Sequence, residues 1–479
     1  MQSTDNIILH IGVGSFHRAH QAAYLHQLRE TGDCAWAIVA GNIRNDTPEL
    51  IGALATQRGE FTLETVTPFG ERRYERIRSI IEVIPFEGTL ARLIEVGADS
   101  KTRIVSFTVT EAGYYFDASG KLDVSNPDLR SDLENNTRLT IYGAIAAILR
   151  ERMKRDGAPV TLLSCDNLRN NGARFCAGLL AFLEHRGEAT LLSWAMTHAA
   201  CPGSMVDRIT PRPPQDLPKR VASATGWADR APVTSEGFTQ WAIEDNFAAG
   251  RPEWERVGVE LVSSVHAYED AKIRILNATH GCLAWAGTLA GLTHIHEDVG
   301  VPAIRKLAFD YITDDVIPCL QSADHASPLD LARYRDAVLD RFANPYLPDT
   351  NERVAANGFT KVSEFILPTI RERLARGESI RAVARLPVLL LAVLQRWYEG
   401  SLPFLYQDQL MPAEKGRAIC AASNPLGAFV GERILWQELT GDHRLYRALE
   451  AAQEELRLRS NPAQFGTARE FKIPTPKLQ

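Results

Sequence analysis

The run Asn6-Ile-Ile-Leu-His-Ile11 is apolar at four of its six positions and ends at Gly12-Val-Gly14. A short continuous apolar run closed by a glycine turn predicts a strand buried on both faces. Directly after it, Ala23, Tyr24 and Leu28 recur at helical spacing within His20 to Arg29, and a second apolar run covers Ala35 to Ala40. Strand, turn, helix and strand make a βαβ unit. Further strand-like runs at Arg103 to Thr110 and Val160 to Cys165 flank a helical pattern from Leu139 to Lys154, so a doubly wound parallel sheet is expected.

After about residue 265 the pattern becomes helical throughout, at Ala267 to Ala290, Ile304 to Asp314, Pro328 to Phe342, Lys361 to Arg376, Ile380 to Tyr398 and Arg444 to Arg459. The expected division is an α/β domain over 1–265 and a mostly α-helical domain over 266–479. The proline-rich segment Pro211 to Pro218 falls too early to separate them and reads as a loop of the first domain.

Composition narrows the function without naming it. The chain has 479 residues, 45% of them hydrophobic, enough for two or three packed domains. Its formal net charge of −6, with both signs spread along the chain, gives no footprint for nucleic acid and no polybasic anchor. Cysteines 34, 165, 176, 201, 282, 319 and 420 form no close pair in sequence and are odd in number, which argues against a disulfide framework or a cysteine-rich zinc site. The N-terminal segment lacks the pattern of a secretory leader, and Leu386 to Leu394 is far short of the roughly 20 apolar residues of a membrane span. A cytoplasmic protein acting on a small soluble molecule is the expectation.

Gly12 and Gly14, followed by Ser15 and Phe16, open a strand-to-helix turn where a dinucleotide pyrophosphate can approach the backbone closely. The fingerprint is incomplete, because His17 replaces its third glycine. In Ser15 to Gln21 polar groups crowd the helix start where no packing need explains them. At the end of the second strand Asp46 would accept from the adenosine ribose hydroxyls and repel a 2′-phosphate, favouring NAD; Arg44 argues for NADP, and Asp46 is preferred. Thr110 and Glu111 follow one strand and Asn167 another, where open α/β sheets bind ligands, although polar residues also form ordinary turns there. His294-Ile-His296-Glu297-Asp298, read as a loop, fits no metal-ligand spacing, and no metal is expected.

Lys272 to His280 holds the densest candidate chemistry. At about 100° per residue, Lys272, Asn277 and His280 fall within an arc of roughly 140°, with Glu269 inside it one turn earlier. A solvated helix face with a satisfied histidine would look the same on this segment alone.

Taken together these motifs resemble the polyol-specific long-chain dehydrogenases, the mannitol 2-dehydrogenase-like family that includes D-arabinitol 4-dehydrogenases and hexuronate reductases. The resemblance runs through Gly12 to Gln21, Thr108 to Tyr114, Ser164 to Asn167, Met205 to Pro211, Trp241 to Asp245, Gly250 to Trp254, Lys272 to His280 and Asn344 to Thr350, and on to Arg353 and Lys361. It implies a Rossmann-type N-terminal domain, a helical C-terminal domain, and a metal-independent site in the cleft between them. It also implies Lys272 as general base, Asn167 and Asn277 as hydrogen-bond donors to the reacting oxygen, and Glu269 as proton relay. His280, Asp207, Arg353 and Lys361 match positions that bind substrate hydroxyls. Cys201-Pro-Gly-Ser204 departs from the usual Phe-Pro start of its motif. A lysine ordinarily titrates near about 10.4; desolvation and a neighbouring NAD⁺ charge would bring it towards roughly 7 to 8. Neither asparagine can serve while it faces solvent.

Within the family, Leu9 to His17 and Ala40 to Asp46 look most like the D-arabinitol 4-dehydrogenases. D-arabinitol oxidised to D-xylulose is therefore expected, with D-mannitol to D-fructose next, since both polyols share the stereochemistry around the reacting carbon. Hexuronate reduction ranks third. The rivals outside the family reading are a non-catalytic NAD-binding sensor and a metal-dependent isomerase or epimerase. Family members of this length are often monomeric, and no heptad seam calls for a partner.

Overall fold

The computed structural model of the chain describes residues 4–117, 120–155, 157–322 and 326–459. It separates into two units, one running to His266 and one from Ala267. The first holds strands β1 (Asn6–Ile11), β2 (Trp36–Gly41), β3 (Phe61–Val66), β4 (Arg72–Ile77), β5 (Ile80–Ile84), β6 (Thr102–Phe107), β7 (Val160–Ser164), β8 (Ala199–Ala200), β9 (Ser204–Asp207), β10 (Val233–Glu236), β11 (Gln240–Glu244) and β12 (Glu260–Val262).

A parallel six-stranded sheet in the order β5-β2-β1-β6-β7-β8 forms its centre. Alternation along each strand sends neighbouring side chains to opposite faces. Ile8, Ile38 and Ile104, in register across three strands, enter one apolar core, while Leu9, Val39 and Val105 enter the other. Both faces are therefore covered, which is why these strands read as mostly apolar runs without polar alternation.

Two three-stranded sheets, β10-β3-β4 and β12-β11-β9, flank this architecture and were not legible in the sequence. Arg72–Ile77 is polar at most positions, and β3 finds its second partner in β10, far along the chain. The strand expected through Thr110 ends at Phe107. The Asp166 carboxylate accepts the backbone N–H groups of Val109 and Thr110 at 2.9 and 2.8 Å and draws them off the ladder, leaving Thr110 at φ +64°.

The second unit is helical. Its central helix, Ala278–Ala290, is buried nearly all round, with Cys282, Leu283, Ala284, Trp285 and Ala286 fully enclosed. The helices Ile295–Gly300, Asn351–Ala355 and Arg385–Tyr398 pack around it, and the Trp285 indole donates to the Ala355 carbonyl at 3.2 Å. His294 to Asp298, expected as a loop, starts one of these helices: His294 is its N-cap and Glu297 accepts the His294 N–H at 2.9 Å. Among the described residues no helix is long and apolar enough to cross a membrane.

Among the described residues three π-helical segments lie in or extend the stretches expected as helix: Lys272–Asn277, Tyr311–Val316, which runs past the expected end at Asp314, and Lys361–Ile366. The second and third each run into a proline, Pro318 or Pro368, at the start of the following α-helix. A proline lacks the N–H for the i→i−4 ladder and its ring crowds the carbonyl one turn back, so a wider turn relieves the clash. Lys272–Asn277 has no such proline. Side chains hold it instead: the Tyr311 hydroxyl donates to the Arg274 carbonyl at 2.8 Å, and the Arg274 guanidinium grips Glu372 through two bonds of 3.0 and 2.5 Å.

Asp298 packs, fully buried, against Gly287 of the central helix and accepts from the Asn351 amide at 3.1 Å. Burial pushes its carboxyl up to about 8. A raised folded-state pKa contributes stability that is whole below 3.8 and is lost as pH climbs through about 8. Asp298→Asn keeps an acceptor for Asn351 and cannot ionise. It should gain stability relative to the parent as pH rises across that window, with the gap constant above it. Denaturant unfolding at stepped pH checks this, and a gap that does not move with pH refutes it.

Candidate active site

In the first unit the candidate residues lie at the carboxyl ends of β1, β2 and β6, where the strand order reverses and open α/β sheets bind their ligands. Gly12 sits at φ +104°, and a Cβ there would fall 2.3 Å from the Thr108 carbonyl oxygen, so only glycine fits. The turn is held from three sides. Gly12 N–H donates to Gly41 at 3.0 Å, Val13 N–H to the Asn42 side chain at 2.7 Å, and the Thr108 hydroxyl to the Gly12 carbonyl at 2.7 Å. Around it opens a cavity of about 640 Å³ lined by Gly12, Gly14, Phe16, Asp46, Thr110 and others, including Arg44, Tyr115 and Asp128. Ser15 begins the helix beside it, whereas Glu111 is exposed and absent from the lining.

The polar crowd after this turn has a packing explanation that its sequence did not show. Ser15–Ala19 is a short helix broken at His20, and a second helix runs over Gln21–Glu30. His17, Arg18, His20 and Gln21 are all buried. Arg18 donates to the Ala231 and Gly14 carbonyls, and the His20 ring meets the Gln240 carbonyl at 3.0 Å. His17, standing where the fingerprint has glycine, stacks on His10 of β1 with ring centroids 3.4 Å apart. Burial lowers His10 to about 3, so it is neutral; its Nε2 lies 3.1 Å from the Gly12 carbonyl and its Nδ1 2.9 Å from the Ser106 hydroxyl.

Asp166 is the residue in this unit that sequence reasoning passed over. Buried at the end of β7, beside the exposed Asn167, it accepts Val109, Thr110 and the Tyr114 hydroxyl, the last at 3.1 Å. Burial raises it to about 6 despite these donors. Its signal was the Cys-Asp-Asn run at a strand end, where the asparagine drew the attention. Asp207 is buried in β9.

The helical unit holds a separate group of candidate residues. Lys272 and Asn277 stand at the two ends of the π segment, five residues apart, and Glu269 lies in the preceding helix His266–Ala271. In an i→i+5 turn, residues five apart come one above the other. The α-helical spacing expected from sequence put them at the two ends of an arc of roughly 140°, and the π turn narrows it. Lys272 and Glu269 are buried and Asn277 is half-buried.

His280 follows one α-turn on. Its Nε2 lies 3.3 Å from the Asp349 carboxylate, and its ring stacks on Phe342 at 4.6 Å. Asp349 also takes both ends of the Arg353 guanidinium, at 2.6 Å to Nε. One carboxylate thus orients two of the expected substrate-binding residues, and these donors hold it well below the usual carboxylate range despite its burial. Burial lowers His280, with Asp349 opposing the shift. Lys361, at the start of its own π segment, lays its stem against Gly281 and donates to the Ala356 carbonyl. Burial pushes its ammonium down to about 8, with Arg353 adding to the effect and Asp408 opposing it. The two π segments pack on each other. Asp349 lies within the Asn344 to Thr350 motif, and its place four residues before Arg353 is the sign of it that the sequence carries.

Among the described residues no group of three or more His, Cys, Asp or Glu side chains is placed to hold a metal ion.

Comparison with known proteins covers almost the whole chain. Residues 6–256 match the mannitol dehydrogenase Rossmann domain, and residues 264–457 the mannitol dehydrogenase C-terminal domain. A D-arabinitol 4-dehydrogenase of Ralstonia nicotianae is 56% identical over 93% of this chain and 96% of its own. A D-arabinitol 4-dehydrogenase of Klebsiella pneumoniae is 48% identical over 91% and 94%. The structure of Pseudomonas fluorescens mannitol 2-dehydrogenase, a ternary complex with NAD and D-mannitol, superposes with a TM-score of 0.80 at 32% identity, covering 95% of this chain and 92% of that one.

Asp166→Ala leaves two backbone donors without their acceptor and should lower stability by about 1 to 3 kcal/mol. Asp166→Asn retains an oxygen for both and should lose clearly less. Urea unfolding of the two variants separates these outcomes; equal losses would remove the acceptor role.

Proposed function

This chain belongs to the mannitol dehydrogenase family of polyol dehydrogenases, and from that premise we propose that it oxidises D-arabinitol to D-xylulose with NAD⁺ and with Lys272 as general base. Likeness to two D-arabinitol 4-dehydrogenases along nearly their full lengths supports the substrate. The observation that carries the mechanism is the π turn, which aligns Lys272 with Asn277 on a buried helix next to His280.

The residues around the Gly12 turn fit a dinucleotide. The glycine backbone is tightly held, the cavity is of suitable size, and Asp46 stands past β2 to accept from a ribose. Gly12, Gly14, Ser15 and Phe16 would hold the pyrophosphate side, with Thr110 on the far lip; Glu111, outside the lining, is assigned to the cofactor by its place next to Thr110 alone. Bound there, a nicotinamide dinucleotide supplies the hydride acceptor.

Lys272, neutral, takes the hydroxyl proton as the C–H bond breaks, and Glu269, three residues away, is assigned to pass that proton to solvent. Asn277 and Asn167 donate amide hydrogens to the oxygen as alkoxide charge develops. Asn167 is exposed, so its part requires that bound substrate and cofactor exclude water from it. His280, Arg353, Lys361 and Asp207 are assigned to the remaining hydroxyls. Because Arg353 is already engaged by Asp349, a substrate carboxylate would have to compete for it, which weighs against a hexuronate.

Reduction of NAD⁺ and of NADP⁺, read by nicotinamide absorbance with EDTA present, should be compared for D-arabinitol, D-mannitol, D-sorbitol and xylitol. D-arabinitol with NAD⁺ is expected to have the highest kcat/KM. A higher value for D-mannitol would reassign the substrate, and binding of NAD without turnover of any polyol or hexuronate would make the protein a sensor.

Lys272→Ala should abolish turnover and leave NAD binding nearly intact, whereas Lys361→Met should chiefly raise KM. The reverse pattern would make Lys361 the base. Asn277→Ala should cost about 10² to 10³ in kcat, the usual worth of one donor to a developing oxyanion. With a lysine base, kcat/KM rises with pH to a plateau as the ammonium loses its proton.

A further inference from the structure

We propose that this chain selects against a 2′-phosphorylated cofactor through Asp128, which engages Arg44 at the mouth of the dinucleotide cavity. The inference rests on the reading of that cavity as a dinucleotide site.

Arg44 and Asp46 both follow β2, where an α/β dinucleotide domain reads the adenosine ribose, and both line the cavity. Their charges pull in opposite directions. Asp46 suits a ribose carrying free hydroxyls, while an unengaged guanidinium at this place is the usual cradle for a 2′-phosphate.

Arg44 is not unengaged. Its Nη2 donates to the Asp128 carboxylate at 2.6 Å and to the Tyr115 hydroxyl at 2.7 Å. Tyr115 and Asp128 come from the segment after β6 and line the same cavity. Asp128 is in the first turn of the helix Pro127–Asn135, whose N-cap Asn126 accepts from the Asp128 and Leu129 N–H groups at 3.0 and 3.4 Å. A capped helix start therefore presents the carboxylate to Arg44, and that placement does not depend on a flexible loop.

The charge balance follows directly. Arg44 and Asp128 cancel, and Asp46 leaves the adenosine end with net negative charge. A 2′-phosphate, carrying close to two negative charges, would have to displace Asp128 from Arg44 and sit beside two carboxylates. A ribose hydroxyl needs neither change. The pair is half-exposed, so its contribution to folding is small. Its proposed effect is on the ligand, whose charge competes for the same guanidinium.

The test is binding of NADH and NADPH, followed by nicotinamide fluorescence at fixed low salt, for the parent, Asp128→Asn, Tyr115→Phe, and Asp128→Asn combined with Arg44→Ala. The parent should prefer NADH. Asp128→Asn should raise the NADPH:NADH affinity ratio by about tenfold or more, since an unopposed arginine–phosphate contact is charge-assisted and bidentate. Tyr115→Phe should move the ratio the same way by less, and the combined variant should return it to the parent value or below. An unchanged ratio in Asp128→Asn, or a rise that survives loss of Arg44, overturns the proposal. A parent that prefers NADPH also overturns it while leaving the dinucleotide reading intact. A parent that binds neither nucleotide removes the dinucleotide reading itself.

Discussion

A buried helix that carries one residue too many per turn must still satisfy its backbone, and the second unit is arranged around meeting that requirement at Lys272–Asn277. The wider turn leaves the Arg274 carbonyl to be bonded by the Tyr311 hydroxyl, and the Arg274 side chain is anchored to Glu372. Both anchors come from other helices. The other two π segments carry their cause locally, as a proline at the start of the next α-helix. Where a widened turn has no local cause and is held by side chains from other helices, tertiary packing sets the orientation of its residues. Here that orientation aligns the family's candidate base with its neighbouring amide.

In the first unit the analogous constraint is the Gly12 turn. A backbone at φ +104° pressed against the Thr108 carbonyl admits no side chain, and a layer of buried polar groups surrounds it. His10, Thr108 and Asn42 hold the turn itself, and Asp166 holds the segment that forms the far lip of the cavity. Carboxylates recur in this role. Asp166 ties two strand ends, Asp349 orients His280 and Arg353, and Asp128 reaches Arg44. Each joins groups that are remote in sequence or lie on different elements, and in none does the carboxylate's own neighbourhood in the chain reveal its partners in full.

Local signals made much of this protein legible in advance. The apolar runs at Ile7–Ile11, Ala35–Ala40 and Val160–Ser164 became strands because a sheet covered on both faces needs no polar alternation. The helical second half was readable because its apolar spacing is a property of single segments. Polar strands such as Arg72–Ile77 escaped notice, since nothing in their own pattern differs from a loop. The polar stretch His17 to Gln21 looked like ligand-facing surface and proved to be buried packing, because its hydrogen-bond partners at Ala231 and Gln240 lie more than 200 residues further on.

The sequence by itself determined the two architectures, the place of the glycine turn and the family, because periodicity, backbone permissiveness and ordered motifs are all local properties of the chain. Only the tertiary structure decided that the turn from Lys272 to Asn277 is π-helical and so narrows the arc between them, that Arg44 is engaged by Asp128, and that one carboxylate, Asp349, serves both His280 and Arg353. Each of these depends on which distant groups compete for a buried or partly buried donor. That competition is settled by packing, where the cost of an unpaired polar group selects a partner that no single segment specifies.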